Sequence, residues 1–338
     1  MVDNTKPLFS VIMACYNSEP YIAEAIRSVL DQTISDWELI IVDDASTDNS
    51  YDLVKSFADN ESRIKLIHAK SNQGPAAARN AAVENSNGKW LAILDADDIF
   101  FPNKLEKQKA FITSGREKKL VLLGTGVILF GDDAASEKKY IYPAASKKLK
   151  SNLFARKKFP PHSSMTYSSC AFKAVGGFNV RYLRAQDHDL WLRLSVLGSF
   201  ASLREPLVKY RLHPSRISVN ACMKGFQQKT YGTAASVCRL VRQQGMIDPS
   251  NNDSTFEELL SFIEKKYSNS MHKKLDALVL RLKNHIRSRS WLEVVYLILR
   301  HPLVLILFGL NKTSFFSFEK SVAKDFLIYS KRRADFDS

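Results

Sequence analysis

The chain has 338 residues and only four cysteines: Cys15, Cys170, Cys222 and Cys238. They form no CxxC pair and no metal-ligand spacing, which excludes a zinc finger and leaves ordinary reduced thiols of a cytosolic protein. No internal repeat and no low-complexity segment is present, so the chain is not a solenoid. Nor is there an RNA-binding aromatic signature. Met1 to Lys6 is polar and the apolar run after it is short, so no secretory leader is expected. The loop Cys15-Tyr-Asn-Ser-Glu-Pro20 has neither glycine nor a basic residue, unlike the Gly-rich basic loop that a nucleotidyltransferase would place there. Acidic residues also thin out along the chain. Residues 1–100 hold 8 Lys and Arg against 16 Asp and Glu, whereas the rest holds 41 against 19. An acidic first part with a basic remainder argues against a nucleic-acid binder. It fits a metal-holding half and a later half that meets an anionic surface.

What is present is a folded composition, with 45% hydrophobic and 25% charged residues. The richest feature is Asp95-Ala-Asp97-Asp98, directly after the apolar run Trp90 to Leu94. That run reads as a buried strand, preceded by the turn signal Asn87-Gly88. Three carboxylates in four residues repel one another, and a hard divalent cation such as Mg²⁺ or Mn²⁺ would relieve the cost. In an extended segment Asp95 and Asp97 share a face. Asp98 reads equally as a cap of the next helix, given Pro102.

Strand and helix signals alternate through the first part. Phe9–Ala14, Glu38–Val42, Ile64–Ile67 and Trp90–Leu94 read as strands. Pro20–Leu30, Asp48 to about Phe57 and the helix opening at Gly74-Pro75 lie between them. This alternation predicts a mostly parallel α/β sheet flanked by helices, with ligands at the carboxyl ends of the strands. Tyr16-Asn17, Asp43-Asp44 and Asp95-Ala-Asp97 all fall at that edge. Further on, Leu120–Phe130, Met165–Phe172 and Leu207–Leu212 read as strands and Asp187–Leu197 as a helix. Residues 131–160 read as a Lys-rich loop with one short helix. Beyond 221, Thr230–Gln244, Phe256–Tyr267 and Met271–Arg289 read as helices. Residues 291–310 are apolar over about the ~20 residues that span a bilayer. Glu293, Arg300, His301 and Pro302 break that run into two pieces, which fits a helix pair lying in a membrane interface or a soluble hairpin. Trp291 and Tyr296 are suitable interfacial anchors.

Five ordered motifs carry a family resemblance. They are Ser10-Val-Ile-Met-Ala-Cys-Tyr-Asn17, Ser28-Val-Leu-Asp-Gln-Thr33, Glu38-Leu-Ile-Ile-Val-Asp-Asp-Ala-Ser-Thr-Asp48, Asn72-Gln-Gly-Pro-Ala-Ala-Ala-Arg-Asn80 and Leu94-Asp-Ala-Asp-Asp98. Over roughly residues 8–218 the chain resembles family 2 glycosyltransferases, inverting enzymes of the GT-A fold that use nucleotide-diphospho-sugars. The resemblance implies residues 1–110 as the nucleotide-sugar half and 111–220 as the acceptor half, while the pattern of residues 221–338 reads as a helical, basic, membrane-associating extension. It implies Ala14 and Tyr16 beside the base and Asp44 accepting the base N–H, which favours a UDP- or dTDP-type donor. Arg79 would sit near the nucleotide. Asp95 would contact ribose or metal, and Asp97 would be the main ligand of Mn²⁺ or Mg²⁺.

The resemblance also implies that Asp187, before a Trp-containing helix, is the general base. Gln186 stands where the family carries glutamate, and with His162 it would meet the acceptor. Asp189 is a weaker alternative base. The late motif Tyr210-Arg-Leu-His-Pro-Ser-Arg-Ile-Ser218 would bring His213 to the metal or diphosphate and Arg211 to the phosphate. The expected partners are a nucleotide-diphospho-sugar, a saccharide or lipid-linked acceptor and a membrane surface met through residues 271–312, with no nucleic acid. The expected place is the cytoplasmic face of the membrane, bound peripherally. A catalytically inactive scaffold of the same fold is the alternative, with Gln186 the one mark in its favour.

Overall fold

A computed structural model describes residues 6–131, 137–213, 221–269, 322 and 325. The chain divides into two compact units, residues 1–226 and 227–338. The predicted halves 1–110 and 111–220 both contribute strands to one sheet of the first unit.

The first unit opens with strands β1 (Phe9–Cys15), β2 (Trp37–Asp43), β3 (Ile64–His68) and β4 (Trp90–Ile93). Helices α1 (Ile22–Leu30), α2 (Ser50–Ala58) and α3 (Pro75–Glu84) connect them. All four strands are parallel, in the order β3-β2-β1-β4. β1 and β2 are buried almost throughout, as near-continuous apolar runs require when helices cover both faces. Phe9, Val11, Met13, Leu39, Ile41 and Ala92 form the centre of the core with Ile22 and Ile26 of α1.

The sheet continues through β8 (Thr166–Ser168), β6 (Leu120–Gly131) and β9 (Ser199–Leu212), closed by β5 (Ile99–Phe100). The edge strand β7 (Lys138–Tyr140) pairs with β6. β8 runs antiparallel to both β4 and β6, and β9 runs parallel to β6. Two reversals therefore bring the carboxyl end of β9 to the same edge as that of β4. Helices α4 (Lys104–Thr113), α5 (Ser146–Phe154), α6 (Ser169–Ala174) and α7 (Gln186–Leu194) complete the unit.

The second part differs from the sequence reading in length more than in kind. β9 is 14 residues long rather than the six of Leu207–Leu212. Register shifts against β6 at Thr125–Val127 absorb the turn-forming Arg204-Glu-Pro206. Met165–Phe172 is a three-residue strand followed by a helix. The Ser168 hydroxyl caps that helix by accepting the N–H of Ala171.

The second unit begins within α8 (Ala221–Gln243), which is joined to α9 (Asp253–Asn269) through a short 3₁₀ turn at Pro249–Asn251. Asp248 fastens that connection, accepting from the N–H and hydroxyl of Ser250 and from Arg242. Among the described residues no helix is long and apolar enough to cross a membrane. The predicted helix 271–289 and the apolar stretch 291–310 lie outside the described residues.

Candidate active site

The acidic motif is not extended. Asp98 N–H donates to the Asp95 carbonyl at 3.0 Å, closing a turn over Asp95–Asp98. This turn, rather than strand alternation, gathers the side chains. One carboxylate oxygen from each of Asp95, Asp97 and Asp98 lies within 4.8 Å of the others.

The three acids have different surroundings. Asp95 receives Arg79 Nη2 at 2.6 Å, and His162 Nδ1 stands 3.7 Å away. Burial alone would raise its pKa, but Arg79 and then His162 outweigh that and hold the carboxyl far below the usual range. Asp97 meets His213 Nε2 at 2.9 Å. Asp98 is completely buried and accepts the Arg211 N–H at 2.8 Å. It is therefore no helix cap, since α4 starts six residues later behind Asn103. Burial first, then the charges of Asp97 and Asp95, drive its pKa well up. Its Oδ2 is buried with no hydrogen-bond partner.

The residues fit a divalent cation on these grounds. A buried carboxyl with an orphaned oxygen, two more carboxylates within reach and an imidazole form a hard-donor set whose mutual repulsion a cation would relieve.

Arg211, expected at the phosphate, is held by the protein itself. Its Nε donates to the Asp97 carbonyl at 3.0 Å, and its Nη2 pairs with Glu24. Its guanidinium lies over Tyr21 and Phe130, 4.9 and 4.5 Å from the ring centres. It braces the acidic turn. Tyr21 also stacks on His213 at 4.7 Å.

On the other side, Asp43 and Asp44 end β2. Asp44 is buried and accepts the N–H groups of Gln73 and Gly74 at 2.9 and 2.8 Å. Gly74 adopts φ +87°, which glycine supplies without strain, and Pro75 then starts α3. Asp44 thus ties the sheet edge to the helix that carries Arg79. Asp43 holds His68 Nδ1 at 2.9 Å, a contact with no sequence signal. Ala14 is half-buried, and Tyr16 beyond it is 46% exposed at the same edge. Asn17, at φ +49°, accepts the Thr47 N–H at 2.8 Å and so joins this loop to the one after β2.

The second half supplies His162 and Asp187. His162 is nearly buried, edge-on to Phe178 at 5.5 Å, with its Nε2 unpartnered. Ser163 beside it is sealed, its hydroxyl accepting the Asp95 N–H at 3.2 Å. Asp187 lies in the first turn of α7, half-buried, and accepts its neighbour His188's N–H at 2.7 Å. Gln186 opens the same turn, and Ala185 before it is left-handed at φ +56°. Asp189 is excluded as a base, because it is fully buried in a two-bond pair with Arg193 at 2.6 and 2.9 Å.

Tyr167 of β8 pairs across the sheet with Leu91 of β4. Its hydroxyl accepts Trp191 Nε1 at 2.8 Å from α7. Burial chiefly, then the charges of Asp187 and Asp95, push its pKa above the ordinary range, with Trp191 and Arg79 opposing. Asp187, Arg79 and Asp95 therefore act on one buried hydroxyl. The Asp95 turn, Arg79, His213 and His162 come together at the carboxyl edge of the sheet, and Asp187 opens α7.

An α/β sheet of this order, with an acidic turn after its fourth strand and a carboxylate opening a later helix, is the GT-A arrangement of nucleotide-sugar transferases. Residues 10–172 match the family model described as Glycosyl transferase family 2. The chain is 34% identical over 224 residues to TuaG of Bacillus subtilis (strain 168), named as a teichuronic acid biosynthesis glycosyltransferase. That match covers 64% of this chain and 84% of TuaG. The fold is similar to S. aureus TarS 1-349 in complex with UDP-GlcNAc, with TM-score 0.57 and 19% identity, covering 79% of this chain and 74% of that one. It is also similar to the mannosyltransferase PcManGT from Pyrobaculum calidifontis in complex with GDP-Man and Mn²⁺. There the TM-score is 0.50 and the identity 16%, covering 89% and 88% of the two chains. The chain belongs to glycosyl transferase family 2, and the protein is a glycosyltransferase.

Proposed function

We propose that the enzyme moves a sugar, with inversion, from a UDP- or dTDP-type donor to a hydroxyl of a saccharide or lipid-linked saccharide in surface-polysaccharide synthesis. The observation that carries this reading is the meeting of three carboxylates within 4.8 Å beside Arg79. TuaG's assignment to teichuronic acid biosynthesis supports the acceptor class. TarS binds UDP-GlcNAc and PcManGT binds GDP-Man, so the shared fold does not choose the base.

The base is chosen by Asp44. Gln73 and Gly74 occupy two of its roughly four acceptor positions, and the remainder can take an imide N–H of uracil or thymine. Ala14 and Tyr16 border the base. Arg79 sets a fixed positive fork toward the diphosphate, oriented by Asp95. Asp97, His213 and Asp95 would hold Mn²⁺ or Mg²⁺, with Asp98 beneath them. Bound there, the cation would neutralise charge that builds on the leaving diphosphate.

Asp187 takes the proton of the acceptor hydroxyl. The hydroxyl oxygen then bonds the anomeric carbon as the bond from that carbon to the diphosphate breaks. Gln186 and His162 orient the acceptor. Residues 271–312 place the enzyme at the cytoplasmic face of the membrane. Calorimetric titration with UDP, dTDP, GDP and CDP, with and without Mn²⁺, tests the donor reading. Metal-dependent binding of UDP or dTDP above the other two is expected. Equal binding of all four, or binding indifferent to Mn²⁺, sinks it.

A further inference from the structure

The acceptor half carries a cavity that the donor site does not use. On three neighbouring strands Val127 pairs with Tyr140 and Leu129 pairs with Tyr210, so β7, β6 and β9 present one continuous aromatic face. Tyr142, Phe159, Pro161 and Lys158 complete a cavity of about 170 Å³. That is below the roughly 300 Å³ at which drug-sized ligand sites begin, so it holds one ring and not a nucleotide-sugar.

Four of its lining side chains are aromatic: Tyr140, Tyr142, Phe159 and Tyr210. Flat apolar rings suit a ligand with apolar faces, which describes a pyranose. Lys158 is exposed, with Nζ 5.1 Å from the centre of the Tyr140 ring. The surrounding segment, residues 137–158, holds eight Lys and Arg and one Glu. A neutral sugar would make no use of this charge, whereas a carboxylate on the ring would. The cavity also adjoins the chemistry along the chain. Pro161 precedes His162, which stands 3.7 Å from Asp95, and Tyr210 precedes Arg211, which bonds Asp98.

We propose that this cavity is a subsite for an anionic pyranose unit of the acceptor, a hexuronic acid, with its ring on the tyrosines and its carboxylate at Lys158. The assignment rests on the transferase reading above and adds the acceptor's charge to it.

Saturation-transfer NMR on the full chain tests it, with methyl β-glucuronide and methyl β-glucoside as probes and UDP plus diamagnetic Mg²⁺ as an internal reference. The glucuronide is expected to receive saturation in preference to the glucoside. Tyr140→Leu, which keeps apolar volume but removes the ring, should weaken glucuronide binding by roughly 2–10-fold. Lys158→Glu, at an exposed position, should remove the preference for the charged sugar. UDP signals should stay unchanged in both variants. UDP binding without glucuronide binding, or glucuronide binding indifferent to both substitutions, overturns the subsite and leaves the transferase reading standing. Glucuronide binding that needs Tyr140 in a protein that ignores UDP keeps the subsite and overturns the donor reading.

Discussion

Asp97 and Asp187 do different work, and substitution should separate them. Asp97 belongs to the acidic turn, paired to His213 at 2.9 Å. Asp97→Ala should remove the Mn²⁺ dependence of nucleotide binding, read by calorimetry. Asp187 opens α7 and touches only its own helix turn among its described hydrogen bonds. Asp187→Asn keeps that contact and the shape. Nucleotide affinity should stay within about twofold while turnover falls by about 10²–10⁴, the range of a lost general base. Equal losses of binding in both variants would assign Asp187 to the donor site instead. Residue type and order made Asp95, Asp97 and Asp187 legible in the sequence. The turn that collects the acids was not, because D-x-D reads as extended and only the backbone hydrogen bond from Asp98 to Asp95 closes it. Nor were the partners of Asp98 and Asp189. A carboxylate's role there depends on Arg211, 113 residues away in sequence, and on the burial of its pair with Arg193.

At the scale of elements, α4 and α3 carry the informative tests. Lys104 of α4 is fully buried, its Nζ bonded to Gln108 Oε1 at 2.9 Å and 3.9 Å from the centre of the Phe100 ring, both uncharged partners. Burial lowers its pKa to about 7. The unfolded chain therefore holds more protons between pH 7 and the ordinary lysine value, so stability rises with pH across that window. Lys104→Met should flatten this rise and stabilise the protein by about 1–3 kcal/mol at pH 7, since Thr166 still donates to Gln108. Thermal unfolding scans at several pH values read both effects. Asn80 of α3 clamps the turn before α7, donating to the Phe178 carbonyl at 2.8 Å and accepting the Phe178 N–H at 2.9 Å. Gly177 sits against it at φ +69°, where a Cβ would come within 2.8 Å of Asn80 Oδ1. Asn80→Ala leaves both Phe178 groups unpaired and should cost about 1–3 kcal/mol in denaturant melts. The parallel half of the sheet was legible because β-branched runs and short helices alternate cleanly. The later half was harder. β8 is three residues long, and β9 passes through Arg204-Glu-Pro206 without stopping, so the sequence pattern marks both strands but not where they begin and end.

For the whole molecule the question is what the charge asymmetry serves. Apart from Arg211, which braces the acidic turn, the basic excess beyond residue 100 is far larger than that site uses, and a membrane surface is one place for it. Segment 271–312 holds eight Lys and Arg against two Asp and Glu beside long apolar runs, the composition of an interfacial anchor. Each basic residue near an anionic bilayer contributes about 1 kcal/mol, a gain screened within a Debye length of about 8–10 Å. The full chain should therefore co-sediment with phosphatidylglycerol vesicles more strongly than with phosphatidylcholine vesicles, and release as salt rises from about 0.1 to 1 M. Replacing Arg281, Lys283, Arg287 and Arg289 together by Gln should weaken vesicle binding while leaving UDP calorimetry unchanged. Binding to both vesicle types alike would make the apolar runs sufficient without the charge. Absence of binding to either would assign the basic excess to the acceptor glycan, as proposed for Lys158 at the aromatic cavity.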